Sequence, residues 1–325
     1  MDIYSRIRSC LSDKKKGSLT RFLIETGLKP KVNRRTDSPF NKGIVVFSAD
    51  FEMAWAFRFS KTLQSRAIKK GLEERENIPV LLQLFQEYRI PVTWATVGHL
   101  FLSGCTKGSN DLPHSEMPRP EFFENRNWRF NSGDWYQHDP CSDYKTDPAW
   151  YASDLIDLII ASDVNHEIGC HTFSHCDFTY KNCPKSLADA ELDKCLMLAA
   201  NKGIMLKSMV FAGGTSGNYE SLTERGFICY RKPMKYHLDL PSVDKHGMVA
   251  VPSSLGLVKD PYGWSKEFHV KMIRNYLDKA IKYKLVCHFW FHPSLDGWYL
   301  DNVMPEILQM VANYRDTSRV EVKTM

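Results

Sequence analysis

Two histidines four residues apart, His171 and His175, close the run Glu-Ile-Gly-Cys-His-Thr-Phe-Ser-His over 167–175. On one face of a helical turn, both imidazoles can reach a single metal ion. The apolar residues before them read as a short strand, so the pair is expected where a strand stops and a helix starts. In α/β folds, catalytic groups gather at such places. An isolated His-x-x-x-His is also a common accident of loop sequence, so the rest of the chain has to decide.

Two further runs carry chemistry. The first strong strand ends in Ser48-Ala49-Asp50-Phe51-Glu52, and strand alternation puts Asp50 and Glu52 on the same side. Two carboxylates at the end of an apolar strand repel and lose solvation unless something uses their charge. A metal ion would relieve this; the plainer alternative leaves Glu52 in a solvated loop. The late run Val286-Cys287-His288-Phe289-Trp290-Phe291-His292-Pro293 places His288, Trp290 and His292 on one face. Pro293 ends that strand, leaving His292 at its C-terminal edge. His288 lies deeper and reads as a satisfied core histidine.

The elements that must hold these groups alternate from residue 43 onward. Strands are expected over 43–49, 91–97, 166–170, 208–211, 227–230, 248–252 and 285–291. Helices are expected over 78–88, 150–162, 187–202, 219–225, 267–283 and 303–314. The stretch around 248–252 has a hairpin as its alternative. Repeated strand–helix units argue for a mainly parallel sheet with helices outside, and seven or so favour a barrel over an open sheet. Residues 102–147 break the rhythm with a polar, Pro- and aromatic-rich stretch. Trp128, Phe130, Trp135 and Tyr136 argue against disorder there. They suit stacking on apolar sugar faces or, more plainly, a local mini-core.

The chain has 325 residues, 43% of them hydrophobic, enough for one large α/β domain or two smaller ones. Its nine cysteines include no Cys-x-x-Cys pair, which points to a reducing compartment. Cys170, Cys229 and Cys287 sit in apolar runs and read as small buried residues. No apolar stretch is long enough to span a bilayer, and Met1–Leu11 lacks a signal-peptide core, so a cytoplasmic location is expected. Residues 1–40 hold ten Lys/Arg against four Asp/Glu, which leaves the rest of this +5 chain near neutral. Nucleic acid is therefore not an expected partner. Residues 1–42 form a basic arm in which Ile3, Ile7 and Leu11, then Leu19, Phe22 and Leu23, recur at helical spacing. Such an arm suits weak contact with an anionic membrane surface at the inner face; the alternative is a helix packed on the body.

Taken in order, Ser-Ala-Asp-Phe-Glu-Met-Ala-Trp (48–55), Val-Thr-Trp-Ala-Thr-Val-Gly (92–98), Glu-Ile-Gly-Cys-His-Thr-Phe-Ser-His (167–175), Gly-Phe-Ile-Cys-Tyr-Arg (226–231) and His-Phe-Trp-Phe-His-Pro (288–293) resemble the polysaccharide deacetylases. These are the NodB-homology, or carbohydrate esterase family 4, group. The resemblance is to the branch with an Asp-x-Glu first motif and covers roughly 43–293. It implies a distorted (β/α) barrel of about seven strands over 43–325. It also implies one divalent metal, usually zinc, and hydrolysis of an N-acetyl group on an amino sugar. Residue by residue, it implies His171, His175 and Glu52 as metal ligands, Asp50 as general base and His292 as general acid.

One departure stands out. The family's third motif places an Arg beside the general base, whereas the matching run 210–218 here, Val-Phe-Ala-Gly-Gly-Thr-Ser-Gly-Asn, has none. Arg231 is the available substitute. The glycines there read as an anion-admitting loop or as a plain turn. The substrate expected is a cell-surface glycan or, in the cytoplasm, its nucleotide- or lipid-linked precursor. The rivals are a hydrolase of another amide or cyclic imide on the same barrel, and a sugar-binding protein whose catalysis has decayed.

Overall fold

The nine residues Gly43–Phe51 form the longest strand, β1, and every one is buried. Such a β-branched, aromatic run, polar only at Ser48 and Asp50, suits the centre of a parallel sheet covered on both sides. The computed structural model describes residues 13–32, 38–234 and 236–325, and a curled ten-stranded sheet forms its centre. The other strands are β2 (Thr93–Thr96), β3 (Glu167–Cys170), β4 (Ser208–Met209), β5 (Cys229–Lys232), β6 (Ser242–Val243), β7 (Val249–Pro252), β8 (Leu255–Gly256), β9 (Val286–Phe291) and β10 (Val320–Lys323). Their order is β6-β7-β5-β4-β3-β2-β1-β9-β8, with β10 beside β1. All pairings are parallel except β6 with β7.

The two edges of the sheet are one piece of chain. Residues 249–252 pair with β5 and 255–256 pair with β9. Between them, the Ser253 N–H donates to Lys232 O at 2.9 Å and the Ser254 N–H to His288 O at 2.8 Å. Counted once, that segment completes seven strand positions around a distorted (β/α) barrel. The antiparallel β6 supplies the hairpin that was the alternative at 248–252.

Alternation along β1 separates two environments. Val45, Phe47, Ala49 and Phe51 belong to the large core. Phe47 packs against Phe85 of helix α2 (Ala67–Tyr88) with ring centroids 6.0 Å apart. Ile44 and Val46 form a separate small cluster with Val286. Beyond them on this second face come Ser48 and Asp50, paired in register with Trp290 and Ala95. The inner column therefore runs from apolar to charged toward the C-terminal end of the strands, where a barrel keeps its chemistry.

The remaining helices are α1 (Asp13–Glu25), α3 (Ser153–Ile160), α4 (Lys185–Ala200), α5 (Tyr219–Glu224), α6 (Lys266–Tyr283), α7 (Gly297–Asn302) and α8 (Met304–Asp316). Three expectations need correction. Helix α2 starts eleven residues before Ile78, because its charged first half buries only Ala67, Gly71 and Glu74, too few apolar residues to show as a helix face. The terminal strand β10 is not expected from Val-Glu-Val-Lys; it pairs with Gly43–Val46 on the edge that β2 takes over from Ser48. In 102–147, Phe130, Trp135 and Tyr136 are almost fully buried and Trp128 is 5% exposed. These rings form the mini-core rather than an open stacking surface, with Phe59 stacked on Trp135 at 4.9 Å.

The arm also has a definite place as far as it is described. Residues 1–12, with Ile3, Ile7 and Leu11, lie outside the described residues. In α1, Ile24 is fully buried, while Phe22 is 56% exposed. Asn275 and Lys279 of α6 donate to Ile24 O and Pro30 O at 3.3 and 2.8 Å. Lys31 and Val32 pair in parallel with His237 and Leu238. The eight described cysteines are all free thiols, and among the described residues no helix is long and apolar enough to cross a membrane.

Candidate metal centre at the mouth of the barrel

Three atoms converge just past the ends of β1 and β3. Glu52 Oε2 lies 3.1 Å from His171 Nε2 and 2.9 Å from His175 Nε2. All three residues are 1–4% exposed. The His171 Nδ1–H donates to Val210 O at 2.7 Å, which turns Nε2 toward Glu52, the orientation a metal ligand requires. His175 Nε2 is buried and has no hydrogen-bond partner among the described residues despite its closeness to Glu52. An unpartnered imidazole nitrogen beside a carboxylate and a second imidazole nitrogen fits a divalent ion well. Burial depresses the His175 pKa, though the Glu52 charge opposes it, so the neutral, ligating form is favoured.

The backbone that presents these ligands is not the expected helix. Residues 171–178 form an irregular loop, and helix α4 begins only at Lys185. Thr172 and His175 adopt φ of +61° and +54°, a left-handed conformation that non-glycine residues hold only when their surroundings demand it. Here the demand falls on Ser174. Its N–H and Oγ–H donate to Glu191 at 2.8 and 2.5 Å. Its Oγ accepts from the Trp135 indole at 2.8 Å, and its carbonyl accepts from Arg58 at 2.6 Å. Arg58 is itself buried against the Trp135 ring at 4.3 Å. The i,i+4 spacing thus brings the two histidines together through a clamped loop, not through helical periodicity.

Glu52 likewise lies beyond the strand. Its backbone breaks from extended to φ −134°, ψ −16°, so it is a loop residue yet 4% exposed. The buried Glu74 carboxylate of α2 receives the Met53 N–H and, at 3.5 Å, the Glu52 N–H. Burial and the nearby Glu52 charge raise the Glu74 pKa well above the usual carboxylate range. The Glu52 carboxyl shifts the opposite way: burial raises it, but His292, His175 and His171 together hold it well below the ordinary value.

Asp50 faces a different partner. Arg231 grips it through two parallel bonds, Nη1 to Oδ1 at 2.5 Å and Nη2 to Oδ2 at 2.6 Å. Burial raises the Asp50 pKa, but the Arg231 charge and hydrogen bonds outweigh it and the net shift is downward. Arg231 Nη1 also donates to Ser48 Oγ at 3.0 Å, and Ser48 meets His288 Nε2 at 2.8 Å. The cation missing from 210–218 is therefore supplied from β5. His288 is fully buried, and burial followed by the Arg231 charge pushes it down to about 3. It is the buried core histidine expected, but only half satisfied, because Nδ1 has no hydrogen-bond partner among the described residues.

His292 closes the ring of groups, with Nε2 3.1 Å from Glu52 Oε1. Burial lowers its pKa, but the Glu52, Asp50 and Glu74 charges raise it to about 9. Its side chain keeps 41% of its surface exposed, so surrounding charge rather than a dry pocket sets that value. Beside it opens a cleft of about 470 Å³ bordered by Phe57, Leu63, Lys70, Trp290 and Leu295. Gly213 in the run 210–218 has a packing reason. Gly213 sits at φ +57°, and a Cβ there would fall 2.8 Å from the Trp128 ring, which in turn packs edge-on to His175 at 5.2 Å.

The structure thus brings Asp50, Glu52, His171, His175 and His292 to one rim. Sequence reasoning did not find Glu74, Glu191 and Arg58, because isolated charges on helices or in turns look solvated until the fold buries them. Arg231 was visible as a candidate.

No family model matches the chain, and no curated protein matches it. Solved structures do. A protein assigned as a polysaccharide deacetylase from Mycobacterium smegmatis superposes with a TM-score of 0.58 at 14% identity, over 91% of this chain and 92% of that one. PuuE allantoinase superposes with a TM-score of 0.53 at 12% identity, over 89% and 91%. At such identities the likeness establishes the fold alone: a distorted, NodB-like (β/α) barrel.

Proposed function

We propose that the chain is a metal-dependent hydrolase that removes an N-acetyl group from an amino sugar. The observation that carries this reading is the convergence of Glu52 Oε2, His171 Nε2 and the unpartnered His175 Nε2 within 3.1 Å contacts. Asp50 and His292 flank that convergence on the same rim. Three protein ligands are the donor set of an open, catalytic zinc-type site.

Glu52, His171 and His175 would hold a divalent ion, which would supply polarisation of the acyl carbonyl and a more acidic attacking water. Asp50 accepts the proton of that water. Arg231 keeps Asp50 ionised and fixes its plane, while each carboxylate oxygen retains a lone pair free to accept. His292 gives its proton to the departing amine, without which the C–N bond does not break. General acid–base assistance of this kind contributes about 10²–10⁴-fold. Glu74 and the Glu191–Ser174–Arg58 clamp are positioning residues that hold the Glu52 and His175 backbones.

The test is acetate release by the purified chain from N-acetylated amino sugars in free, nucleotide-linked and lipid-linked form. Asp50→Asn and His292→Gln should abolish turnover while keeping the metal. His171→Ala/His175→Ala should lose one equivalent of metal. Metal retained by that double variant overturns the ligand assignment. The likeness to PuuE allantoinase supports one rival, hydrolysis of a small cyclic amide or imide by the same groups. Turnover of such compounds, with none of the acetylated sugars, would establish it instead.

A further inference from the structure

A second set of ligand-type side chains meets where the long insertion leaves the barrel. His99 lies in the single turn Gly98–Phe101 directly after β2, while Cys105, His114 and Asp139 come from 102–147. His99 Nε2 and His114 Nε2 are 3.0 Å apart. Asp139 Oδ2 lies 2.9 and 2.7 Å from them, and Cys105 Sγ is 3.5 Å from the same oxygen. One ligand atom from each of the four lies within 4.8 Å of the others. His99, His114 and Asp139 are 0–6% exposed.

Hydrogen bonding alone explains this arrangement poorly. Two imidazole nitrogens and a carboxylate oxygen form a nearly equilateral triangle, so two N–H groups aimed at the oxygen would also crowd each other. An ion is the usual solution for such a set. A tetrahedral ion bound at zinc-type distances separates its nitrogen and oxygen donors by about 3.4 Å and a sulfur from an oxygen by about 3.6 Å. The sulfur–oxygen contact already has that length, and the nitrogen and oxygen contacts at 2.7–3.0 Å must open by about 0.4–0.7 Å. The carboxylate is also oriented from behind. Asp139 Oδ1 accepts from the Tyr151 hydroxyl at 2.6 Å and from the Cys141 N–H at 3.0 Å. Outer partners of this kind direct the remaining oxygen at an ion. In a chain whose described cysteines are all free, a thiol among two histidines and a carboxylate reads as a ligand rather than half of a disulfide.

We propose that His99, Cys105, His114 and Asp139 form a second, closed site for a zinc-type divalent ion, which pins the 102–147 insertion to the barrel. All four positions are filled by protein, so the site is structural rather than catalytic. Binding releases the Cys105 proton to solvent and leaves a thiolate on the ion. The insertion carries Trp128, against His175, and Trp135, bonded to Ser174. An ion at its root therefore fixes one wall of the first centre.

Sulfur distinguishes the two centres, because the Glu52–His171–His175 set has none. The full chain, kept reduced, is loaded with Co²⁺ and its near-ultraviolet absorption and metal content are read. A thiolate–cobalt charge-transfer band is expected in the wild type and in His171→Ala/His175→Ala, and is expected to be lost in Cys105→Ser and Cys105→Ala. The His171→Ala/His175→Ala protein should keep one equivalent of metal, and chelation should lower its melting temperature. A folded wild type that takes up Co²⁺ without the band overturns the proposal. So does a folded His171→Ala/His175→Ala protein that holds no metal. If that double variant keeps the band and loses no metal at all, the second site stands and the first assignment fails.

Discussion

Replacing Arg231 by Met tests the pairing that orients Asp50. Asp50 is 4% exposed and the Arg231 side chain 10%, so solvent screens the pair little. The substitution removes two parallel bonds to Asp50 and one to Ser48, and strands a buried carboxylate. Removing one partner of a buried pair costs about 3–5 kcal/mol. Arg231→Lys keeps the charge but not the fork and is expected to fall between. In the Asp50→Asn background there is no charge to strand, so Arg231→Met should cost at least about 1.5 kcal/mol less than it does alone.

The dependence on pH has a definite sign. The folded-state pKa of Asp50 is depressed, so the stability it contributes is present above the ordinary aspartate value of 3.8 and is lost as pH falls through the lower folded value. Without Arg231, burial becomes the leading influence and the pKa moves up. The wild-type advantage should then narrow on acidification, and the acidic limb of any pH–rate profile should move to higher pH. Urea unfolding of the wild type, Arg231→Met, Asp50→Asn and their double variant between pH 4 and 7, at fixed metal concentration, measures this. A single-variant loss under about 1 kcal/mol, or no difference between backgrounds, refutes the reasoning.

Three other outcomes are expected. In metal-free protein, NMR titration should place His292 at about 9. Glu52→Gln should bring it down toward 6.5. Stability from that pairing is complete below about 6.5 and is lost as pH rises through about 9, so a His292 titrating at 6.5 in the unmodified chain contradicts the geometry. Gly213→Ala must accept φ +57° and a Cβ 2.8 Å from the Trp128 ring. It should cost about 1–3 kcal/mol and change Trp128 fluorescence; a neutral effect on both would show a loop that simply yields. Ile24→Ala should cost about 2–5 kcal/mol in thermal or urea unfolding, because Ile24 is fully buried. A cost near zero would mark α1 as a detachable arm after all.

The sequence revealed the barrel and its rim more fully than the means of holding the rim. Strand alternation placed Asp50 and His292 because β1 and β9 are regular, apolar and flanked by punctuation at Pro293. Glu52, His171 and His175 were legible as residue types but not in their backbone. The four-residue spacing suggested a helix where φ is positive at Thr172 and His175. Spacing is a local signal, and this loop is set by non-local bonds from Glu191, Arg58 and Trp135. Arg231 was ambiguous for the same reason, since only the β5–β7–β8 closure of the barrel swings it onto Asp50. The cluster of His99, Cys105, His114 and Asp139 escaped because its members stand 6, 9 and 25 residues apart along the chain, in a stretch with no period to read.

These omissions have one physical cause. The rim buries Asp50, Glu52, Arg58, Glu74, Glu191 and five histidines, counting His99 and His114, at 6% exposure or less. Such groups are tolerable only when each is neutralised or hydrogen-bonded. Asp50 has Arg231, Glu191 has Ser174 and the nearby Arg58 charge, and Glu74 has two backbone N–H groups and a raised pKa. Two sets are left whose charge these contacts do not answer, Glu52 with His171 and His175, and Asp139 with His99 and His114, while His288 Nδ1 and Arg58 Nε are single buried atoms without a partner among the described residues. Each leftover set brings together two imidazoles and one carboxylate with nitrogen and oxygen atoms at about 3 Å, and each would be satisfied by one divalent cation. The two metal assignments therefore follow from the same accounting of buried charge. The ligand count then separates their roles: three protein ligands leave a position for water, and four with a thiolate leave none.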